Sequence, residues 1–85
     1  MPEKVIGKVV GYFAKIGVAA IEMEGEMKVG DTVHFHGHTT DFTQTVESMQ
    51  IENEPKEEVK AGDSVGMKVD DRVRPHDVVY KVTED

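Results

Sequence analysis

Three histidines, His34, His36 and His38, stand at alternate positions. Alternate side chains of an extended strand leave from one face. If the strand runs on through Gly37, all three project from the face opposite Val33 and Phe35. Two imidazoles at that spacing could share one transition metal ion. The sequence places no third or fourth ligand, and the alternative is an exposed polar face that ends in a loop.

A second cluster is the run Asp70-Asp71-Arg72-Val73-Arg74-Pro75-His76-Asp77. Arg72 and Arg74 are candidate anion contacts, because a guanidinium donates paired hydrogen bonds to a carboxylate or phosphate. The alternative is that Asp70, Asp71 and Asp77 pair with them at the surface. Tyr12 and Phe13 are adjacent, so in a strand one of them points away from the core. An aromatic there can stack on a base or a ligand, with Tyr12 the candidate partner contact; the alternative packs both at the end of a barrel. The acidic stretches Glu22 to Glu26 and Glu52 to Glu58 can dock a basic partner or simply solvate loops.

Catalytic chemistry finds little material. There is no cysteine, and Ser48 and Ser64 lack a Gly-x-Ser-x-Gly context. Asp70 and Asp71 are adjacent and leave an extended chain on opposite sides. The expectation is no catalytic residue, no cofactor, and a protein that is not an enzyme.

What must hold these residues in place is a small domain. A chain of 85 residues makes one domain, which buries only about 60% of its extended surface on folding. The hydrophobic fraction of 38%, rich in β-branched residues, suffices for a core. Without cysteine, disulfides and thiolate metal sites are excluded, and stability rests on packing and sheet hydrogen bonds. The start Met1-Pro2-Glu3-Lys4 lacks the basic segment and apolar run of a leader, and no stretch approaches the roughly 20 apolar residues of a membrane span. A cytoplasmic protein with no membrane partner is expected. The net charge of -7, with 17 acidic residues against 10 basic, disfavours broad nucleic-acid binding and leaves room for a local basic patch or a basic protein partner.

Along the chain, Lys4 to Val10 reads as a first strand, with Gly7 and Gly11 where it bends or meets another backbone. Gly17 turns it into a second strand with Ala19, Ile21 and Met23 on one side, completing a hairpin. Glu24 to Asp31 reads as a loop closing in the turn Gly30-Asp31, before a half-buried strand from Thr32 to Gly37. From Phe42 to Glu52 the apolar parity changes, Phe42 and Val46 on one side and Met49 and Ile51 on the other, which a one-residue bulge near Glu47 or Ser48 reconciles. Asn53 to Glu58 is a charged connection. A second turn, Gly62-Asp63, leads into Val65, Met67 and Val69 at period two, and Val78 to Val82 is the final strand. No segment has helical spacing over ten positions. Six or so short strands imply a small all-β, closed or nearly closed six-stranded antiparallel barrel.

Lys28-Val29-Gly30-Asp31-Thr32-Val33, then Gly37, Val46 to Gln50, Val59 to Met67 and Asp77 to Tyr80, resemble in order and spacing the second domain of translational GTPases such as elongation factor Tu and bacterial initiation factor two. The resemblance covers about Val5 to Val82. It implies one translation-factor-like barrel over residues 1–85, working as a non-catalytic adaptor for a protein or a ribonucleoprotein partner related to tRNA or the ribosome. With no Gly-x-x-x-x-Gly-Lys-Ser/Thr loop, GTP hydrolysis is excluded. A small-ligand or metal-binding barrel using His34, His36 and His38 is the alternative. Such a barrel is also similar to the appended C-terminal module of some collagenase-like peptidases, again a non-catalytic accessory.

Overall fold

The computed structural model describes residues 3–82. Met1 and Pro2, on which the expectation about a leader partly rests, lie outside them. Ten strands follow in chain order: β1 (Glu3–Phe13), β2 (Val18–Met23), β3 (Met27–Lys28), β4 (Thr32–His36), β5 (Asp41–Thr45), β6 (Met49–Ile51), β7 (Glu54–Lys56), β8 (Glu58–Val59), β9 (Ser64–Lys68) and β10 (Val78–Val82). The architecture is all-β, every pairing is antiparallel, and the described residues contain no helix.

The expectation of a closed or nearly closed six-stranded barrel is corrected: the sheet is not closed and the strand count is not six. Eight strands run in the order β5-β4-β10-β1-β2-β9-β6-β7, and β3 pairs with β8 separately. Both ends of that order are edges. At one, Pro55 and the charges of the fully exposed β7 discourage further pairing. At the other, β5 is joined to the chain leaving β9 by one side chain: Gln44 Nε2–H donates to the Lys68 carbonyl at 3.0 Å, and its Oε1 accepts the Asp70 N–H at 2.7 Å. A glutamine does there what a ladder would do in a closed barrel.

The parity change between Phe42 and Ile51 is real, but a strand break produces it rather than a one-residue bulge. Val46, Glu47 and Ser48 leave the ladder, so that β5 pairs with β4 while β6 pairs with β9 and β7. True bulges occur in β1, where the register shifts between Val5 and Gly7 and again between Val9 and Gly11. The second matters most. Val9 lies opposite the buried Ile21, but after the extra residue Val10 it is Tyr12 that lies opposite the buried Ala19, and Phe13 opposite Val18. Side-chain alternation therefore turns Tyr12 toward the core and Phe13 outward. The expectation that both aromatics pack at a barrel end is corrected by this one residue.

Three connections share one turn. In Lys28-Val29-Gly30-Asp31, Lys60-Ala61-Gly62-Asp63 and Arg74-Pro75-His76-Asp77, the aspartate N–H donates to the carbonyl of the first residue at 3.1 Å in each case. The aspartate Oδ2 accepts the first residue's N–H, at 3.0, 3.0 and 2.8 Å. The third position is left-handed, with φ of 99°, 94° and 79°. Glycine meets that requirement without strain in the first two, and His76 bears it in the third.

One core fills the inner side of the sheet. It includes Ile6, Val9, Ile21, Met27, Val33, Phe35, Val46, Met67 and Val79, with Phe42 stacked on Phe35 at 5.1 Å between ring centres. Met27 and Val73 are fully buried although their sequence context places both in connections; β3 and its pairing with β8 explain Met27.

Candidate functional site

On antiparallel sheets with one side packed, the other side is ordinarily polar. Here part of the outer side of β1, β2, β9 and β6 is not. With Ala19, Ile21, Val65, Met67 and Met49 buried inward, alternation sends Val18, Ala20, Gly66 and Gln50 outward. These small or uncharged residues form the floor of a furrow of about 360 Å3, walled by Val10, Phe13 and Ile16. The walls are 51%, 57% and 65% exposed, which leaves large apolar side chains facing solvent together. Gly66 keeps the floor low: a Cβ there would meet Val18 Cγ1 at 3.3 Å and Gln50 Cγ at 3.5 Å. A second hollow of about 210 Å3 shares Ile16, Val18, Gln50 and Gly66 and runs on to Pro55 and Lys68. Along the first, Glu52 is the one charged lining residue, while Gln50, Asn53 and Ser64 supply neutral hydrogen-bonding groups.

This furrow was missed in the sequence. One signal was available, since Ile16 is a large apolar residue in the turn before Gly17, where burial is not expected. The adjacency of Tyr12 and Phe13 requires one of them to point outward, but the bulge that selects Phe13 and aims Val10 is a tertiary feature.

The histidines do not form a metal site. His34 Nε2–H donates to Asp41 Oδ1 at 2.5 Å, and Nδ1–H donates to the Glu3 carboxylate at 3.0 Å. With both ring nitrogens donating, His34 has no lone pair left for a metal. Hydrogen bonds from Asp41 first, then from Glu3, hold its pKa above the usual histidine value, and the same contact holds Asp41 below the usual carboxylate value. His36 lies 5.7 Å from His34 between ring centres and is exposed. His38 falls beyond the strand, in a bend closed by the Gly37 N–H donating to the Thr40 carbonyl at 2.7 Å. Among the described residues no three histidine, cysteine, aspartate or glutamate side chains are placed to hold a metal ion. The metal-binding alternative is withdrawn on that geometry.

Arg72, Arg74 and Tyr12 do come together, lining an open hollow with Val73 and Pro75. The expected surface pairing of the arginines with Asp70, Asp71 and Asp77 is absent among the described residues. Gly30, Asp31, Gly62 and Asp63 are turn residues as described above.

Similarity to known proteins falls elsewhere than the translation factors. No family model matches the chain. It is similar to an uncharacterized protease of Methanocaldococcus jannaschii, 41% identical over 80 residues, an alignment covering 93% of this chain and 20% of that protein. A collagenase of Porphyromonas gingivalis is 36% identical over 78 residues, covering 89% of this chain and 22% of the collagenase. The chain thus spans about a fifth of the length of the curated relatives it matches. Among solved structures, the C-terminal domain of a Geobacillus thermoleovorans protein assigned to the U32 peptidases superposes with a TM-score of 0.88 at 25% identity, covering 94% of this chain and 93% of that domain. The likeness is to the C-terminal domain of a U32 peptidase and to a segment of proteins named protease and collagenase.

That overturns the resemblance to the second domain of translational GTPases and the translation adaptor built on it. The Gly-Asp turns that carried the resemblance are local solutions to a short β-connection, and the chain repeats the same turn at Arg74–Asp77 without glycine. Their order identified a kind of connection, not a family. The expectation of a protein outside enzymology is corrected as well, because the relatives are named protease and collagenase.

Proposed function

We propose that this chain serves peptide-bond hydrolysis as the C-terminal β-domain of a U32-type peptidase, its furrow holding a stretch of extended polypeptide. The observation that carries this reading is the 41% identity with a protease over 93% of the chain. The furrow suits such an occupant. Its apolar walls take side chains, and neutral amide and hydroxyl groups beside them can bond a peptide backbone without selecting its charge. An extended segment lying there removes Val10, Phe13 and Ile16 from water, which is the favourable term.

A chimaera tests this. Residues 3–82 replace the matching segment of the Porphyromonas gingivalis collagenase, and hydrolysis of gelatin is compared with that of the collagenase lacking the segment. Restored hydrolysis is expected. A folded chimaera no more active than the truncated enzyme would overturn the proposal.

A further inference from the structure

Arg72 and Arg74 are held out on one piece of backbone. Between them Val73 is 1% exposed and anchors the segment in the core. Arg74 opens the turn locked by Asp77, itself buried. Both arginine side chains are exposed, and among the described residues neither guanidinium makes an ion pair. Three nearby carboxylates are engaged otherwise: Asp71 Oδ1 accepts the Arg72 N–H at 2.8 Å, Asp77 Oδ2 accepts the Arg74 N–H at 2.8 Å, and Asp41 is held by His34. The two arginines line two hollows in common, one of about 460 Å3 with Tyr12 and one of about 260 Å3 with Thr39 and Thr40. Neither hollow shares a lining residue with the furrow.

We propose that Arg72 and Arg74 form a second binding site, for a carboxylate side chain of an acidic polypeptide segment. Two planar guanidinium forks on one rigid stretch match a carboxylate bidentately, and the threonine hydroxyls add donors beside it. Nucleic acid is disfavoured as the ligand. Asp41 and Asp71 line the same hollow in a chain of net charge -7, so a continuous run of phosphates meets more repulsion than the sparser carboxylates of a polypeptide segment. This site stands independently of the peptidase reading.

The test is an NMR titration of the 15N-labelled 85-residue chain, following the arginine Nε–H signals. The probes are a short glycine-rich peptide carrying two glutamates, its glutamine counterpart, and inorganic phosphate. Saturable shifts of Arg72 and Arg74 with the glutamate peptide are expected, about tenfold weaker in affinity with the glutamine peptide. Arg72→Gln and Arg74→Gln should each weaken the glutamate peptide about tenfold with the thermal midpoint unchanged, and Arg72→Lys should fall between. Equal response to both peptides, or none, overturns the site. Phosphate binding tighter than the glutamate peptide overturns its assignment to polypeptide.

Discussion

Across β5, β4 and β10, the outer surface of the sheet is occupied by groups that satisfy one another. His34 sits between Glu3 and Asp41, with the rings of Tyr80 and His36 at 6.0 and 5.7 Å. Across β1, β2, β9 and β6, the same kind of surface holds the furrow, with apolar walls, a small-residue floor and Glu52 as its one charged lining residue. One half has its partners within the chain, and the other presents apolar area with no partner supplied. An internally satisfied polar patch gains little from a ligand, whereas exposed apolar area gains from being covered. The contrast is why the furrow, rather than the histidines that first drew attention, is the candidate site.

Breaking the seam at the free edge of β5 should have the largest effect. Gln44→Ala removes both hydrogen bonds across the seam and leaves the Lys68 carbonyl and the Asp70 N–H without their partner. A loss of about 2 kcal/mol is expected from the urea midpoint, and a change below about 0.5 kcal/mol would mean that core packing alone holds that edge. Removing the furrow walls should leave the fold alone and strip its function. Phe13→Ser with Ile16→Ser should lower affinity for a gelatin peptide, measured by fluorescence anisotropy, about tenfold or more with stability changed by less than about 0.5 kcal/mol. Unchanged affinity would erase the distinction between the two halves.

The histidine half can be tested by pH. Its folded pKa is raised, so His34 stabilises the native state fully below the ordinary value of 6.5, and that contribution disappears as pH climbs through the raised value. Asp41 behaves oppositely: its contribution is present above 3.8 and fades as pH falls through its depressed value. The contact is therefore strongest between those two ordinary values. Thermal midpoints of the natural chain should decline as pH rises above 6.5, and His34→Gln should flatten that decline; an identical profile in both would show that the contact contributes nothing. The smallest effect belongs to the third turn, where His76→Gly should relieve the left-handed strain and raise stability by about 0.5 kcal/mol in the same urea assay. A loss there would mean that the imidazole makes a compensating contact.

Much of the fold was legible. The period-two alternation of Ala19, Ile21 and Met23, of Val33 and Phe35, and of Val65 and Met67 marks residues that are all buried on one side of the sheet. The Gly30-Asp31 and Gly62-Asp63 turns were equally clear, since glycine at a left-handed position followed by an amide-capping aspartate is local chemistry. The third copy was hidden by His76, a residue that does not announce positive φ. β3 and β8 were hidden because two-residue strands have no periodicity to read.

Of the candidate site, the sequence alone supplied the residue types and their neighbours in the chain, enough to mark Arg72, Arg74 and Tyr12 as worth placing. Tertiary structure decided the rest. Whether Tyr12 or Phe13 faces the core depends on the one extra residue at Val10, and a register shift is settled by pairing with β2, not by β1 itself. Whether His34 is free depends on Glu3 and Asp41, which lie 31 and 7 residues away and meet it only through the sheet. Local preferences select strands and turns, because those energies reside within a few residues. Which face of a strand is left bare depends on contacts between distant segments, and these exist only once the chain has folded.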